Sequence, residues 1–249
     1  MKSRILSLIG LCLVTLAVHS QEEVVIKSFS VKESDKITLE FKYPELVQIK
    51  TWDKNEVQIK ATLYINDGKD NDSFELTSEA NRDGLTVSSQ IKSIDKFKNT
   101  SYYIGRDSND EENEDVMIPR NGTSIRIGNG KPGSHNGVRI SVVLEVIVPK
   151  NAELLVNAQY GMVEVIDLPK TLNIQAKYGG ADIALSEASV ESLWAATSWG
   201  QIYSNLSQEM TIGGNDMLGK EMTARIERGS GKKMIKVDSE YGNVFLRKN

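Results

Sequence analysis

Four aromatic residues, Tyr160, Tyr178, Trp199 and Tyr241, are each followed directly by glycine. Flat rings on an exposed ridge can stack on sugar faces. The chemistry this pattern could support is therefore glycan binding through an aromatic ladder. Packing offers a second account, because an aromatic recurring at one point of every repeat buries area and supports a corner without any ligand. The two accounts differ in exposure: a binding strip requires all four rings to face solvent on one side.

Acid–base chemistry has fewer candidates. Asp167, Asp182, Asp216 and Asp238 fall in or beside the repeats, but no paired-Asp motif is present. A glycosidase needs two carboxylates roughly 5–10 Å apart in a shaped site. His135 is the only histidine after residue 20, and no nucleophile-elbow motif accompanies it, so neither a Ser-His-Asp triad nor a histidine zinc site is expected. No cofactor, metal or catalytic residue is assigned, and the chain reads as non-catalytic. Residues 107–115 hold six carboxylates in nine positions. Calcium could use such oxygens, yet the spaced Asp and central glycine of a calcium loop are missing. Gly128-Asn-Gly130-Lys-Pro-Gly133 matches a dinucleotide fingerprint only formally, because a strand rather than a helix follows it.

The elements that position these residues follow from the repeat itself. Its copies read Leu154-Leu-Val-Asn-Ala-Gln-Tyr160-Gly161, Leu172-Asn-Ile-Gln-Ala-Lys-Tyr178-Gly179, Leu193-Trp-Ala-Ala-Thr-Ser-Trp199-Gly200 and Ile235-Lys-Val-Asp-Ser-Glu-Tyr241-Gly242. A degenerate copy, Met222-Thr-Ala-Arg-Ile-Glu-Arg228-Gly229, is placed fourth in order and would interrupt the ladder at Arg228. Positions one, three and five are apolar or small, which is the period of a strand with one buried face. After the glycine the alternation resumes in opposite phase, as at Val163/Val165 and Ala181/Ile183/Leu185. Glycine permits the corner that such a phase change requires. With Arg228-Gly229 counted among the aromatic–glycine pairs, the corners lie 18, 21, 29 and 13 residues apart. The first two intervals suit one coil of a β-solenoid, whose coils bury their apolar faces only by stacking. The last two imply either an insertion or a misaligned fourth copy.

Upstream, strands are expected at 24–31, 37–43, 46–51, 56–65, 74–78 and 85–91, separated by Asn-Asp-Gly and Asn-Arg-Asp-Gly turns. A further strand is expected from 138 to 148, ending at Pro149. No window carries a helical period, so the chain reads as all-β. Residues 92–137 form a polar, acidic and glycine-rich insertion, either a mobile loop or a functional element.

Residues 1–20 read as a secretory signal, with Lys2 and Arg4 ahead of an apolar run of fourteen residues, too short to span a bilayer. The expected organisation is a signal at 1–20, an N-terminal β-region at 21–91, the insertion at 92–137 and the repeats at 138–249, with 21–249 one continuous domain. Loss of Lys2 and Arg4 takes the formal charge from −4 to −6, which argues against a nucleic-acid partner. The one cysteine, Cys12, lies in the signal, leaving no disulfide or thiol chemistry. No integral membrane span is expected after cleavage, and the protein is expected to be exported to the periplasm, cell surface or medium.

The segment Leu46-Val-Gln-Ile-Lys-Thr-Trp52-Asp53-Lys-Asn-Glu-Val57-Gln-Ile59, the strand end Val146-Ile-Val148-Pro149 and the Tyr-Gly or Trp-Gly repeats together resemble a family of bacterial envelope proteins known as putative adhesins, with β-strand repeats or a head GIN domain. The resemblance covers most of residues 21–249. It implies a right-handed β-helix-like fold and an exported protein, and it carries over no binding residues. The function expected is an adhesin or scaffold that binds envelope or extracellular glycan or protein, with Tyr160, Tyr178, Trp199 and Tyr241 as the candidate ligand ladder. The alternatives are a carbohydrate-active lyase or hydrolase on the same scaffold and an envelope signalling accessory.

Overall fold

The computed structural model describes residues 22–92, 94, 101–104, 116–120, 123–127, 137–214, 221–227 and 230–249. The signal, the acidic run 107–115, the glycine cluster 128–133, His135, Asp216 and Arg228 lie outside the described residues. What is described is all-β: two mixed, parallel-rich sheets, two short 3-10 turns and no α-helix.

The upstream strands form close to their expected spans: β1 (Glu23–Ser30), β2 (Lys36–Phe41), β3 (Leu46–Trp52), β4 (Glu56–Ile65), β5 (Phe74–Ala80) and β6 (Gly84–Ile91). Within 92–137 the chain supplies β7 (Ser101–Ile104), β8 (Val116–Arg120) and β9 (Thr123–Ile127), so this segment extends a sheet. The long β10 (Gly137–Pro149) pairs with β3 and β7 in parallel and with β4 antiparallel.

The repeats supply a strand pair each: β11 (Glu153–Ala158) with β12 (Met162–Val165), β13 (Thr171–Ala176) with β14 (Ala181–Leu185), and β15 (Val190–Thr197) with β16 (Ile202–Ser204). Beyond them come β17 (Thr211–Gly214), β18 (Met222–Ile226), β19 (Lys233–Ser239) and β20 (Val244–Lys248). One sheet runs β16-β20-β14-β12-β3-β10-β7-β9-β8, with β4 and β1 joined through β10. The other runs β17-β18-β15-β19-β13-β11-β2-β6-β5.

Equivalent residues of the repeats face each other in register. In the second sheet Ile37, Leu154, Leu172, Ile235 and Leu193 form one inward row, and Leu39, Val156, Ile174, Val237 and Ala195 form the next. In the first sheet Val47, Val163, Ala181, Val244 and Ile202 do the same. All are buried and belong to one continuous apolar cluster. At about 1.5–3 kcal/mol per fully buried aliphatic side chain, these rows dominate the stability of the repeat region.

Two features depart from the order read in the sequence. The copy at Met222 is not a stacked repeat: β18 runs antiparallel to both β15 and β17. Ala224 and Ile226 still point inward, because alternation reports which face is buried and is blind to strand direction. Secondly, β19 and β20, last in the chain, lie between the second and third of these strand pairs. β19 pairs with β13 on one side and β15 on the other, and β20 pairs with β14 and β16. The chain also has an earlier pair of the same kind, β2 and β3, which packs against β11 and β12.

The corners of the later repeats are held by hydroxyls. Ser239 is 0% exposed; its Oγ accepts the Gly242 N–H at 3.0 Å and lies 2.9 Å from the Gly242 carbonyl and 3.0 Å from that of Gly179. Thr197 Oγ1 accepts the Gly200 N–H and donates to the Gly242 carbonyl, both at 2.9 Å. Ser239→Ala strands a backbone donor inside the corner. A loss of about 1–3 kcal/mol is expected in urea unfolding with an unchanged m-value, and a loss within about 0.5 kcal/mol would show that the hydroxyl is dispensable.

Candidate functional site

The aromatic residues meet in one stack, in spatial rather than sequence order. Tyr43 lies on Tyr160 with ring centroids 5.4 Å apart, Tyr160 on Tyr178 at 5.2 Å, Tyr178 on Tyr241 at 5.2 Å, and Tyr241 on Trp199 at 6.4 Å. Interplanar angles run from 8° to 17°. The in-register strands before each corner impose this arrangement, and the glycine column beside the rings lets the corners approach closely. A Cβ on Gly179 would fall on the Gly161 carbonyl, one on Gly242 on that of Gly179, and one on Gly200 on that of Gly242.

Tyr241 lies between Tyr178 and Trp199 and stacks on both, so the break expected between Trp199 and Tyr241 does not occur. Tyr43 joins the stack, and the sequence reading missed this residue. The signal was available: Ile37, Leu39, Phe41 and Tyr43 follow the repeat pattern, but Pro44 stands where the other copies have glycine. Exposure grades along the stack. Tyr160 is 1% exposed, Tyr178 is half-buried, Tyr241 is 43% exposed and Trp199 is 55% exposed. The four residues singled out by the repeat therefore come together but do not present a uniform strip to solvent. At these spacings the faces of Tyr160 and Tyr178 are covered by neighbouring rings, which is a packing arrangement.

Next to each stacked ring, one position earlier in the chain, a polar side chain points outward from the second sheet. Gln159 Nε2 donates to the Tyr160 hydroxyl at 3.3 Å, and Lys177 Nζ lies 5.3 Å from the Tyr178 ring centroid and 3.5 Å from Glu240. The Glu240 charge holds the Lys177 ammonium above its ordinary pKa. The same charge raises the Tyr241 phenol, whose anion would face a carboxylate. These groups border a groove of about 840 Å³ across the outer face of the second sheet.

Among the described residues the candidate aspartates Asp167, Asp182 and Asp238 do not converge. Asp182 Oδ1 accepts from Arg247 Nε at 2.5 Å, an interaction that raises the Arg247 pKa, and Glu164 accepts from Gln48. Asp167 lies by the chain turn near Leu168, on the border of a different hollow, whereas Asp238 lies in the groove. Asp216 lies outside the described residues, as do the acidic run 107–115 considered for calcium and His135.

No family model matches the chain, and no curated protein does. Among solved structures, the chain resembles a putative cell adhesion protein of Clostridium sporogenes ATCC 15579. The TM-score is 0.50 at 10% identity, over 92% of this chain and 100% of that one. A putative adhesin of Bacteroides fragilis NCTC 9343 aligns over 92% of this chain and 99% of its own at 11% identity, with a TM-score of 0.21, from which no common fold follows. The first likeness is one of fold.

Proposed function

We propose that the protein is an exported, non-catalytic adhesin or scaffold that binds envelope or extracellular material. On this reading the strand pairs are coils of a right-handed β-helix-like solenoid, four formed by the repeats and one by β2 and β3. The observation that carries the proposal is the broad outer face of the second sheet: strands in register, an ordered polar groove, and a rigid aromatic stack along one border. Such a face holds side chains at fixed spacing for an extended ligand. The fold shared with a putative cell adhesion protein supports the reading, as does the signal-like N-terminus. The scattered aspartates, one of them engaged by Arg247, favour binding over hydrolysis, which needs converging carboxylates.

The test uses residues 21–249 immobilised on beads and exposed to envelope fractions and extracellular polysaccharide. Specific retention with no new reducing ends in the eluate is the expected result. Depolymerisation of the retained material would replace this proposal with an enzyme, and the absence of any retained envelope component would end it.

A further inference from the structure

The groove has a chemistry of its own. Its floor is a row that crosses five hydrogen-bonded strands in register: Ser88, Glu40, Asn157, Gln175 and Asp238. Adjacent strands lie about 4.8 Å apart, so the row spans roughly 19 Å. Two of these groups are satisfied within the protein, since Ser88 Oγ donates to Glu40 at 3.1 Å. The other three are not. Among the described residues Asn157, Gln175 and Asp238 make no side-chain hydrogen bond or ion pair. Asn157 Oδ1 is shielded from solvent as well as unpartnered, a state that costs about 1–3 kcal/mol, and the amide edge that a groove ligand meets is its unbonded Nδ2 donor.

We propose that this groove binds a neutral glycan chain, with Asn157, Gln175 and Asp238 as its central contacts. The proposal rests on the binding reading above and names its ligand class and site. An amide presents donor and acceptor together and a carboxylate accepts twice, which suits hydroxyls that both donate and accept. The volume lies within the range of ligand pockets, about 300–1,000 Å³. The lining sets three carboxylates (Glu40, Asp238 and Glu240) against two ammonium groups (Lys42 and Lys177), so a polyanionic chain meets net repulsion. A protein partner is a poor match, because interface cores are depleted in Lys, Glu, Asp and Ser and anchored by Tyr, Trp or Arg. The rings of the stack contribute rigidity at the groove's border, with Lys177 and Gln159 reaching from the groove to Tyr178 and Tyr160.

The test compares residues 21–249 with the double variant Gln175→Ala/Asp238→Ala and with Trp199→Ala, each checked for native circular dichroism. The probe is a printed array of neutral, uronate-bearing and sulfated oligosaccharides of four to eight sugars. Gln175 and Asp238 are exposed, so the double variant is expected to fold. The expected result is binding to neutral chains only, at least tenfold weaker in the double variant, largely retained in Trp199→Ala, and little changed by added salt because no charge pair carries it. Glycan binding lost in Trp199→Ala but kept in the double variant would overturn the groove and move the site to the end of the stack. Preference for uronate or sulfated chains would overturn the ligand class. No glycan binding, with a protein still captured from envelope fractions, would overturn the groove while leaving the adhesin or scaffold reading intact. No capture of either kind would end both.

Discussion

Alanine at the buried Gly161 is expected to lower stability by about 2–5 kcal/mol. Two costs combine. Gly161 has φ +75°, a left-handed conformation that costs an L-residue roughly 1–2 kcal/mol. The added Cβ would also fall on the carbonyl oxygens of Pro44 and Glu45, and overpacking of this kind costs about 1–3 kcal/mol. Neither partner can swing aside. The Met162 N–H donates to the Glu45 carbonyl at 3.1 Å, and Pro44 is buried beside Tyr43. The corner also joins two stretches distant in sequence, so its strain would be felt in both sheets. Urea unfolding checks this: the midpoint should fall with m unchanged, whereas the exposed Gln175→Ala should stay within about 0.5 kcal/mol of the parent. A loss below about 1 kcal/mol for Gly161→Ala would mean that the corner relaxes freely.

The strands were legible because their signal is local. From Val57, Ile59, Ala61, Leu63 and Ile65 the period alone predicts β4, and the structure places β4 at those limits with each of the five buried. Corners were legible for the same reason, wherever an aromatic precedes glycine. The main failure has a physical cause: period two says which face of a strand is buried, but not which neighbour it has or which way it runs. Met222, Ala224 and Ile226 fit the repeat template, yet β18 is antiparallel to β15. Tyr43 fits it too, and was hidden by a proline at the corner. The site was legible only in part. The repeat identified a set of rings that do meet, but their exposure depends on what stacks above and below, and hence on the spatial order of the strand pairs. The groove row of Asn157, Gln175 and Asp238 was present in the sequence as the polar face of each strand. Nothing local distinguishes such a row from an ordinary solvated face until register shows which polar groups lie side by side.

Deleting residues 233–249 should abolish cooperative unfolding rather than trim an end. These residues fill the interior of both sheets, and β15 and β16 reach β13 and β14 only through them among the described residues. Ile235, Val237, Val244 and Leu246 are buried there. At about 1.5–3 kcal/mol each they contribute roughly 6–12 kcal/mol, comparable with the whole stability of an ordinary domain, about 5–15 kcal/mol. A competing outcome is built into the repeat. Leu193, Ala195 and Thr197 have the inward pattern needed to pair with Leu172, Ile174 and Ala176 directly, so the shortened chain could close the gap in sequence order. Two features oppose closure. Thr197 and Gly200 are fitted to the Gly242 corner, with Thr197 Oγ1 on its carbonyl at 2.9 Å. The Val190–Ser192 stretch carries a register shift matched to β19. Residues 21–232 should therefore lack a sharp thermal transition, and a synthetic peptide of residues 233–249 added in trans should restore one in a concentration-dependent way. A sharp transition in the shortened chain alone, slightly below that of the parent, would show that the third strand pair docks on the second, and that the inserted position of β19 and β20 is a preference among near-equivalent stacking orders.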